Sequence, residues 1–145
     1  MEGGVNSRKL KLQPWNLAEL RNIEVSMNDL NGTVPDELTQ LPLSSLSLYQ
    51  NRFTEELPES VADSPNLSEL KVSSNRLTGP LPVNLRKNSK LVLIDVSNNF
   101  FSGQIPASLC PGGQLEQLLM IHNLFSGSIP DSIVNLEQLG IAGLN

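Results

Sequence analysis

The sequence predicts an α/β solenoid, a stack of similar repeats whose short strands form a parallel sheet on the concave face. One pattern recurs five times, as IEVSMNDLNGTVP, LSLYQNRFTEELP, LKVSSNRLTGPLP, IDVSNNFFSGQIP and LMIHNLFSGSIP. The central asparagines of successive copies are separated by 23, 24, 24 and 24 residues. Short segments that begin with proline, such as PDELTQL, separate the copies. A constant period of this length is typical of repeat architectures, because each repeat buries its apolar face against its neighbours.

The shared pattern, L-x-x-L-x-L-x-x-N-x-L-x-G-x-I-P, is that of the plant-type leucine-rich repeat of 24 residues. It predicts two regions: a poorly ordered N-terminal segment, 1–16, and leucine-rich repeats over 17–145, which comprise five repeats and a partial sixth. In the sixth repeat Leu144 stands where the asparagine is due. We therefore expect the chain to be a shortened copy of a longer protein, joined within FSGSIP.

Each L-x-L segment is predicted to be a short strand, because side chains alternate between the two faces of a strand. One face of each strand would then pack in the core. The predicted core pairs are Ile23/Val25, Leu46/Leu48, Leu70/Val72, Ile94/Val96 and Leu118/Met120. The intervening residues would point outward, and the segments that begin with proline would form helical turns on the convex side.

The recurring asparagine is predicted to be structural. After each strand the chain turns inward and buries backbone groups that have no strand partner, and an amide side chain can both donate to them and accept from them. The predicted ladder consists of Asn28, Asn51, Asn75, Asn99 and Asn123. Glu55 replaces the glycine of the second repeat, which costs about 1 kcal/mol if the backbone there has a positive φ.

Composition argues against several function classes. The net charge is −5 and the pI is about 4.8, and the cluster Arg86, Lys87 and Lys90 is too small to predict nucleic-acid binding. Cys110 is the only cysteine and His122 the only histidine, so nucleophilic catalysis and metal binding have almost no support. We expect no cofactor and no enzymatic activity. No apolar run approaches the roughly 20 residues of a membrane span, so direct membrane insertion is not expected.

The line from NLAELRNIEVSMNDLNG to SNRLTGPLP, together with SLCPGGQLEQLLMIHNLFSG, resembles the ectodomains of plant leucine-rich-repeat receptor-like kinases. Within them it is most similar to the HAESA and HAESA-like group, as a partial, truncated version. The resemblance implies a glycosylated superhelix on the extracellular side of the plasma membrane, followed in the parent receptors by a membrane span and a serine/threonine kinase. It also implies a peptide or protein ligand and a co-receptor as partners.

In solenoids of this kind the sheet side is the open binding face. The resemblance therefore places ligand contacts on outward strand positions. The predicted ligand-binding residues are Ser47, Tyr49, Lys71, Ser73, Asp95, Ser97, Leu119 and Ile121, with Leu93 beside them. The alternative for each position is a merely solvated sheet face, and Lys71 and Asp95 have the further alternative of pairing with each other. The sequons at Asn31 and Asn66 are predicted glycosylation sites, provided that the chain is secreted.

The chain departs from the family in ways that keep other functions open. It contains no kinase segment, no cysteine-paired caps and no Arg-x-Arg pair, which family members often use to bind a peptide carboxylate. The favoured hypothesis is a non-enzymatic interaction module, a fragment of a receptor ectodomain in peptide-hormone signalling. One alternative is a truncated product with no independent activity. Another is a secreted defence-type repeat protein that resembles the plant inhibitors of pectinases.

Overall fold

The computed structural model describes residues 8–10, 17–85, 90–109 and 115–134, which form two parallel sheets and short helical turns. The inner sheet consists of β1 (Asn22–Glu24), β3 (Ser45–Ser47), β5 (Glu69–Lys71), β7 (Leu93–Asp95) and β9 (Gln117–Leu119). The outer sheet consists of β2 (Asn31–Gly32), β4 (Arg52–Glu56), β6 (Arg76–Gly79), β8 (Phe100–Gly103) and β10 (Leu124–Phe125). The helical turns are the 3₁₀ helices Asp36–Gln40, Glu59–Asp63 and Ala107–Leu109, and α1 (Asp131–Val134). Each described repeat thus runs from inner strand to outer strand.

The strand order confirms the predicted solenoid. The inner sheet runs β1-β3-β5-β7-β9, and each pair of neighbours is parallel. Equivalent residues of successive repeats are direct partners, as Leu46 and Leu70 are between β3 and β5. The second sheet follows the same progression along the chain. Because the chain advances by one strand per repeat in both sheets, the repeats stack in sequence order.

The core lies between the two sheets and the helical turns. Nine of the ten side chains predicted to point inward are buried, and Val25 of the first repeat is half-buried. Phe53 and Phe101 are the largest fully buried side chains and come from the outer sheet. The Phe101 ring stacks on Phe125 of the next repeat at a centroid distance of 6.3 Å.

A proline carbonyl begins the convex turn in each of the five repeats. The carbonyl of Pro35 accepts a hydrogen bond from the N–H of Leu38 at 3.2 Å, and Leu38 is fully buried. The same bond joins the proline to the residue three positions later in the other four repeats. These pairs are Pro58 with Val61, Pro82 with Leu85, Pro106 with Leu109, and Pro130 with Ile133. The turn therefore inserts one buried aliphatic side chain per repeat into the core.

Part of the N-terminal segment departs from the sequence prediction. Residues 8–10 lie within 1–16, which we predicted to be poorly ordered, but Lys9 forms a parallel bridge with Asn31. The N–H of Asn31 donates to the Arg8 carbonyl at 2.9 Å, and Leu10 packs against the core. These residues therefore extend the outer sheet beyond β2.

Several sequence predictions fall on residues that the structure does not describe. Cys110, Arg86 and Lys87 lie outside the described residues, and so does the partial sixth repeat over 135–145.

The ladder asparagines connect three backbone segments each. Nδ2 of Asn75 donates to the carbonyls of Leu48 at 3.0 Å, Val72 at 3.1 Å and Ser73 at 3.2 Å. Its Oδ1 accepts the N–H of Phe53 at 3.0 Å. Leu48 and Phe53 belong to the preceding repeat, so one side chain joins two repeats through four backbone groups. Asn51, Asn99 and Asn123 have the same arrangement.

The first asparagine of the series has a different environment. Asn28 is exposed, and its Nδ2 donates only within its own turn, to the carbonyls of Val25 and Ser26. Among the described residues, no backbone N–H of a preceding repeat donates to it. The first rung therefore lacks the link between repeats that the buried rungs provide.

A left-handed residue precedes every ladder asparagine. These residues are Met27, Gln50, Ser74, Asn98 and His122, and their φ angles lie between 53° and 59°. A second left-handed position occurs in the outer strand, where glycine occupies four repeats with φ between 74° and 83°. Glu55 occupies it in the second repeat with φ of 66°. The positive φ on which the predicted destabilisation by Glu55 depended is therefore present.

Replacement of Asn75 by alanine is expected to lower the free energy of unfolding by about 3 kcal/mol. The carbonyls of Leu48 and Val72 keep a second asparagine donor, from Asn51 and Asn99, but the buried N–H of Phe53 loses its acceptor. Urea denaturation followed by far-UV circular dichroism measures the change. Asn28→Ala is the matched control, with an expected loss of less than about 1 kcal/mol, because its bonds are exposed. Equal losses in the two variants would contradict this account.

Replacement of Glu55 by glycine is expected to stabilise the protein by about 1 kcal/mol, because glycine adopts a positive φ without steric cost. The Glu55 side chain is exposed, so little packing is lost. The same urea denaturation measures the gain. Glu56→Gly is the control that removes the same charge from the next residue, whose φ is not positive, and it is expected to destabilise by about 0.5 to 1 kcal/mol. Stabilisation by both variants would assign the effect to charge instead.

Candidate functional site

The inner sheet presents three rows of outward side chains, because equivalent residues of neighbouring strands are direct partners. One row is Asn22, Ser45, Glu69, Leu93 and Gln117, and the next is Glu24, Ser47, Lys71, Asp95 and Leu119. A third, just beyond the strands, is Ser26, Tyr49, Ser73, Ser97 and Ile121. The second and third rows end in aliphatic side chains in the fifth repeat, Leu119 and Ile121, whereas the first row has its aliphatic side chain, Leu93, in the fourth repeat and ends in Gln117.

The charges of this surface are arranged differently from the prediction. The alternative that Lys71 pairs with Asp95 is wrong: Nζ of Lys71 lies 3.4 Å from Oε2 of Glu69, two residues earlier on the same strand. Oε2 of Glu69 also accepts a hydrogen bond from the hydroxyl of Ser45 at 3.3 Å. Asp95 instead accepts the backbone N–H of Ser97 at 3.1 Å through Oδ1.

Glu24, Ser26 and Ser47 form a second polar cluster at the N-terminal end of the sheet. Hydrogen bonding from Ser26 lowers the pKa of Glu24 below the ordinary value, although partial burial opposes the shift. The N–H of Ser26 donates to Oε1 of Glu24 at 3.0 Å. The hydroxyl of Ser47 and the positive charge of Lys71 lower the pKa further.

Two of the predicted ligand-binding residues are not open to solvent. Ser47 is 2% exposed and Ser97 is 6% exposed, although both occupy outward positions. The hydroxyl of Ser47 lies 2.9 Å from that of Ser26, so neighbouring side chains cover it. These two small side chains therefore present little surface to a ligand, and their contact with a ligand stays a prediction. The other six, Tyr49, Lys71, Ser73, Asp95, Leu119 and Ile121, are half-buried.

The C-terminal part of the inner sheet is apolar. Leu93 on β7, Leu119 on β9 and Ile121 just after β9 are half-buried, so each keeps part of its surface open. Asp95 lies between them, since it is the direct partner of Leu119 and the second residue after Leu93. The structure thus brings one carboxylate and three aliphatic side chains together.

A fourth row of side chains, not predicted from the sequence, lies at the position that follows each ladder asparagine. In the first three repeats this position is charged, and Arg52 forms an ion pair with Asp29 at 3.2 Å. In the last two it is Phe100, 52% exposed, and Leu124, 62% exposed. An apolar residue beside the ladder asparagine, where the other repeats have a charge, is the sequence signal that could have identified this patch.

The two sequons differ in their surroundings. Asn66 is exposed in a turn that precedes β5. Asn31 is half-buried in β2, where it is bridged to Lys9 and makes a further interaction. The third residue of the Asn66 sequon, Ser68, donates its hydroxyl to the Ser44 carbonyl at 3.0 Å. Asn66 is the more accessible acceptor of the two.

The convex side carries a separate apolar groove of about 500 Å³. It crosses three repeats and is lined by Pro80, Leu81, Val83, Gln104, Ile105, Pro106, Ala107, Ser128 and Pro130. Within the described ranges, no group of three or more His, Cys, Asp or Glu side chains could hold a metal ion. In the same ranges, no helix is long and apolar enough to cross a membrane.

Comparisons with known proteins place this geometry in a family. The Leucine Rich Repeat family profile matches residues 42–64, 66–88, 90–111 and 114–136, which together are more than half of the chain. Over 39 residues the chain is 51% identical to a probable LRR receptor-like serine/threonine-protein kinase of Arabidopsis thaliana. That match covers 27% of this chain and 4% of the kinase.

Crystal structures of plant receptor ectodomains have the same fold. The LRR ectodomain of the Arabidopsis receptor kinase HAESA, in complex with an IDA peptide hormone ligand, matches 86% of this chain with 47% identity and a TM-score of 0.79. A second HAESA structure also contains the co-receptor SERK1. The ectodomain of the Arabidopsis thaliana membrane receptor kinase GASSHO1/SCHENGEN3 matches 88% with 30% identity and a TM-score of 0.82.

The chain spans only 21% of the HAESA chain and 16% of the GASSHO1/SCHENGEN3 chain. Its match to them extends through most of its own length, however. The chain belongs to the leucine-rich repeat family, and its structural relatives are the ectodomains of plant LRR receptor kinases.

Proposed function

We propose that this chain is a non-enzymatic interaction module that binds a peptide along the inner sheet, as part of a plant receptor-like kinase ectodomain in peptide-hormone signalling. The observation that carries the proposal is the inner-sheet surface itself. Six outward side chains of four neighbouring strands remain half-buried, so they combine open area with fixed positions. The structures of the HAESA ectodomain contain the IDA peptide hormone, and this supports the proposal that the ligand is a peptide.

The physical chemistry of the surface suits a short extended peptide. Tyr49 offers a large amphipathic contact with few rotatable bonds, which limits the entropy lost on binding. Leu119 and Ile121 offer apolar area at the other end, and Lys71, Ser73 and Asp95 offer polar contacts between them. Because the backbone hydrogen bonds of both sheets are already formed, little reorganisation of the protein is needed on binding.

The proposed setting follows from the same relatives. The chain would lie on the extracellular side of the plasma membrane, with glycans on Asn66 and on Asn31. A serine/threonine kinase and a membrane span would belong to the longer receptor, and a co-receptor would join the complex, as SERK1 does in the HAESA structure. The exposed row of Phe100 and Leu124 lies outside the inner sheet, so it remains open to a second protein while a peptide is bound.

Peptide selection tests this function. Random twelve-residue peptides displayed on phage are selected against the 145-residue chain, and the recovered sequences are synthesised and measured by isothermal titration calorimetry. Ile121→Ser is expected to weaken binding at least about tenfold, because truncation of a central interface side chain typically costs more than 1 kcal/mol. Tyr49→Ala is expected to have an effect of the same size.

The matched control is Val83→Ser, which makes the same kind of change at a 62% exposed aliphatic residue of the convex groove. It is expected to leave binding unchanged. If Val83→Ser weakens the peptides and Ile121→Ser does not, the ligand surface is the convex groove and the proposal is wrong. Failure to recover any peptide that binds the folded chain also counts against it.

A further inference from the structure

We propose that Asp95, with Leu93 and Leu119 beside it, binds an arginine or lysine side chain of the peptide, and that an apolar side chain of the same peptide packs on Ile121. This inference rests on the proposed peptide-binding function and names the chemical class of the ligand. The peptide would thus carry a cation and an aliphatic or aromatic residue about two positions apart.

The charge balance of the inner sheet favours a cationic ligand. Its strands carry three carboxylates, on Glu24, Glu69 and Asp95, and one cation, on Lys71. Lys71 forms its ion pair with Glu69, at 3.4 Å. Among the described residues, no cation lies within ion-pair distance of Asp95.

The charged residues immediately before the strands do not change this balance. Arg21 precedes β1 and Glu116 precedes β9, and their opposite charges offset each other at the two ends of the sheet. The inner sheet and its edges therefore carry an excess of two negative charges. Within the described residues neither Glu24 nor Asp95 has an ion-pair partner, so a ligand cation would displace no existing pair at either carboxylate. Of the two, only Asp95 has Leu93 and Leu119 beside it.

Asp95 also keeps acceptor capacity for a ligand. An ionised carboxylate has about four lone-pair sites on two oxygens. Among the described residues one hydrogen bond reaches it, from the N–H of Ser97 to Oδ1 at 3.1 Å. That bond orients the carboxylate and leaves Oδ2 for a guanidinium or ammonium group, and the resulting charge-assisted hydrogen bond would be stronger than a neutral one.

The aliphatic neighbours of Asp95 match the stem of a long cationic side chain. Leu119 is the direct partner of Asp95 on β9, about 4.8 Å away, and Leu93 is two residues earlier on β7, about 7 Å away. Arginine and lysine side chains pack their methylene groups on apolar surface and keep the charged end near polar groups. A serine or glutamate side chain of a ligand could use at most one of these two features.

The position of Ile121 sets the spacing within the peptide. Ile121 lies one strand across from Asp95 and two residues further along, a diagonal of about 8 Å. A peptide that crosses from β7 to β9 at an angle can therefore place on Ile121 a residue two positions from the cation, since two residues of an extended chain span about 7 Å. The pattern cation-x-apolar follows from this spacing.

Four synthetic peptides test the inference. Each is a seven-residue peptide, acetylated and amidated, built on Gly-Ser-Arg-Ser-Leu-Ser-Gly, with arginine kept or replaced by glutamate, and leucine kept or replaced by serine. Binding to the 145-residue chain is followed by the shifts of its backbone amide signals in ¹H–¹⁵N NMR titrations. The peptide with arginine and leucine is expected to bind at least about tenfold more tightly than the peptide with glutamate and leucine, and to shift the amides of Asp95, Leu119 and Ile121.

Variants assign the effect to Asp95. In Asp95→Asn the amide oxygen can still accept the N–H of Ser97, so the strand is preserved while the charge is lost. We expect this variant to bind the peptide with arginine and leucine at least about fivefold more weakly and to bind the peptide with glutamate and leucine no more weakly than before. The control is Asp29→Asn, which removes a carboxylate that pairs with Arg52 outside the inner sheet and is expected to change neither affinity.

The outcomes separate this inference from the proposed function. If the glutamate peptides bind the inner sheet as tightly as the arginine peptides, the inference is wrong and peptide binding stands. If the arginine peptide binds but Asp95→Asn leaves its affinity unchanged, the inference is also wrong. If none of the four peptides shifts an inner-sheet amide, the inference falls, and the phage selection decides separately whether other peptides bind.

Discussion

Four asparagine side chains of the ladder link each repeat to the repeat before it, and the turn from inner to outer sheet depends on these bonds. Each of Asn51, Asn75, Asn99 and Asn123 accepts one N–H of the preceding repeat and donates to a carbonyl of that repeat and to carbonyls of its own. These bonds satisfy backbone groups at the point where the chain leaves the inner sheet, where no strand partner exists. The ladder therefore allows the chain to turn into the core after only three strand residues.

The turn that the asparagine stabilises is itself strained. The residue before each ladder asparagine has a positive φ, a conformation that costs most residues roughly 1 kcal/mol or more. Of the five, Asn98 and His122 belong to types that adopt it more readily, while Met27 and Gln50 do not. The strain persists because the following asparagine holds the turn with up to four hydrogen bonds. The hydrogen bonds of each asparagine thus offset the conformational cost of the residue that precedes it.

Periodicity predicted the fold because it depends on repeated, short-range constraints. The alternation within L-x-L and the period of 24 residues were sufficient to predict the parallel inner sheet, the core side chains and the convex turns. The bridge between Lys9 and Asn31 could not be predicted, since it involves a single residue outside the repeat pattern. The pair between Lys71 and Glu69 was missed for a related reason: a long flexible side chain can reach partners on its own strand or on the next, and the pattern does not distinguish them.

The candidate site was less predictable than the fold, because outward positions have no shared constraint. Ser47 and Ser97 occupy outward positions but are buried, since a small side chain on a closely spaced sheet is covered by its neighbours. Larger side chains at the same positions, such as Lys71 and Leu119, stay half-buried. Ser73, in the same row as Ser97, is also half-buried, so exposure on this surface depends on the neighbours of each side chain as well as on alternation along the strand.

The freedom of these outward positions is what makes the surface suitable for recognition. The core and ladder residues are constrained in every repeat, so substitutions at them affect stability, whereas the outward residues can differ from repeat to repeat at little cost to the fold. In the middle row of this chain they change from Lys71 in the third repeat to Leu119 in the fifth, and Asp95 lies between them. A carboxylate beside half-buried leucines is partly shielded from water, which strengthens its attraction for a cation relative to a fully solvated position. The leucines also restrict the shape of the cationic side chain that can reach Asp95. Charge attraction and apolar packing together therefore give this part of the sheet a specificity that neither would provide alone.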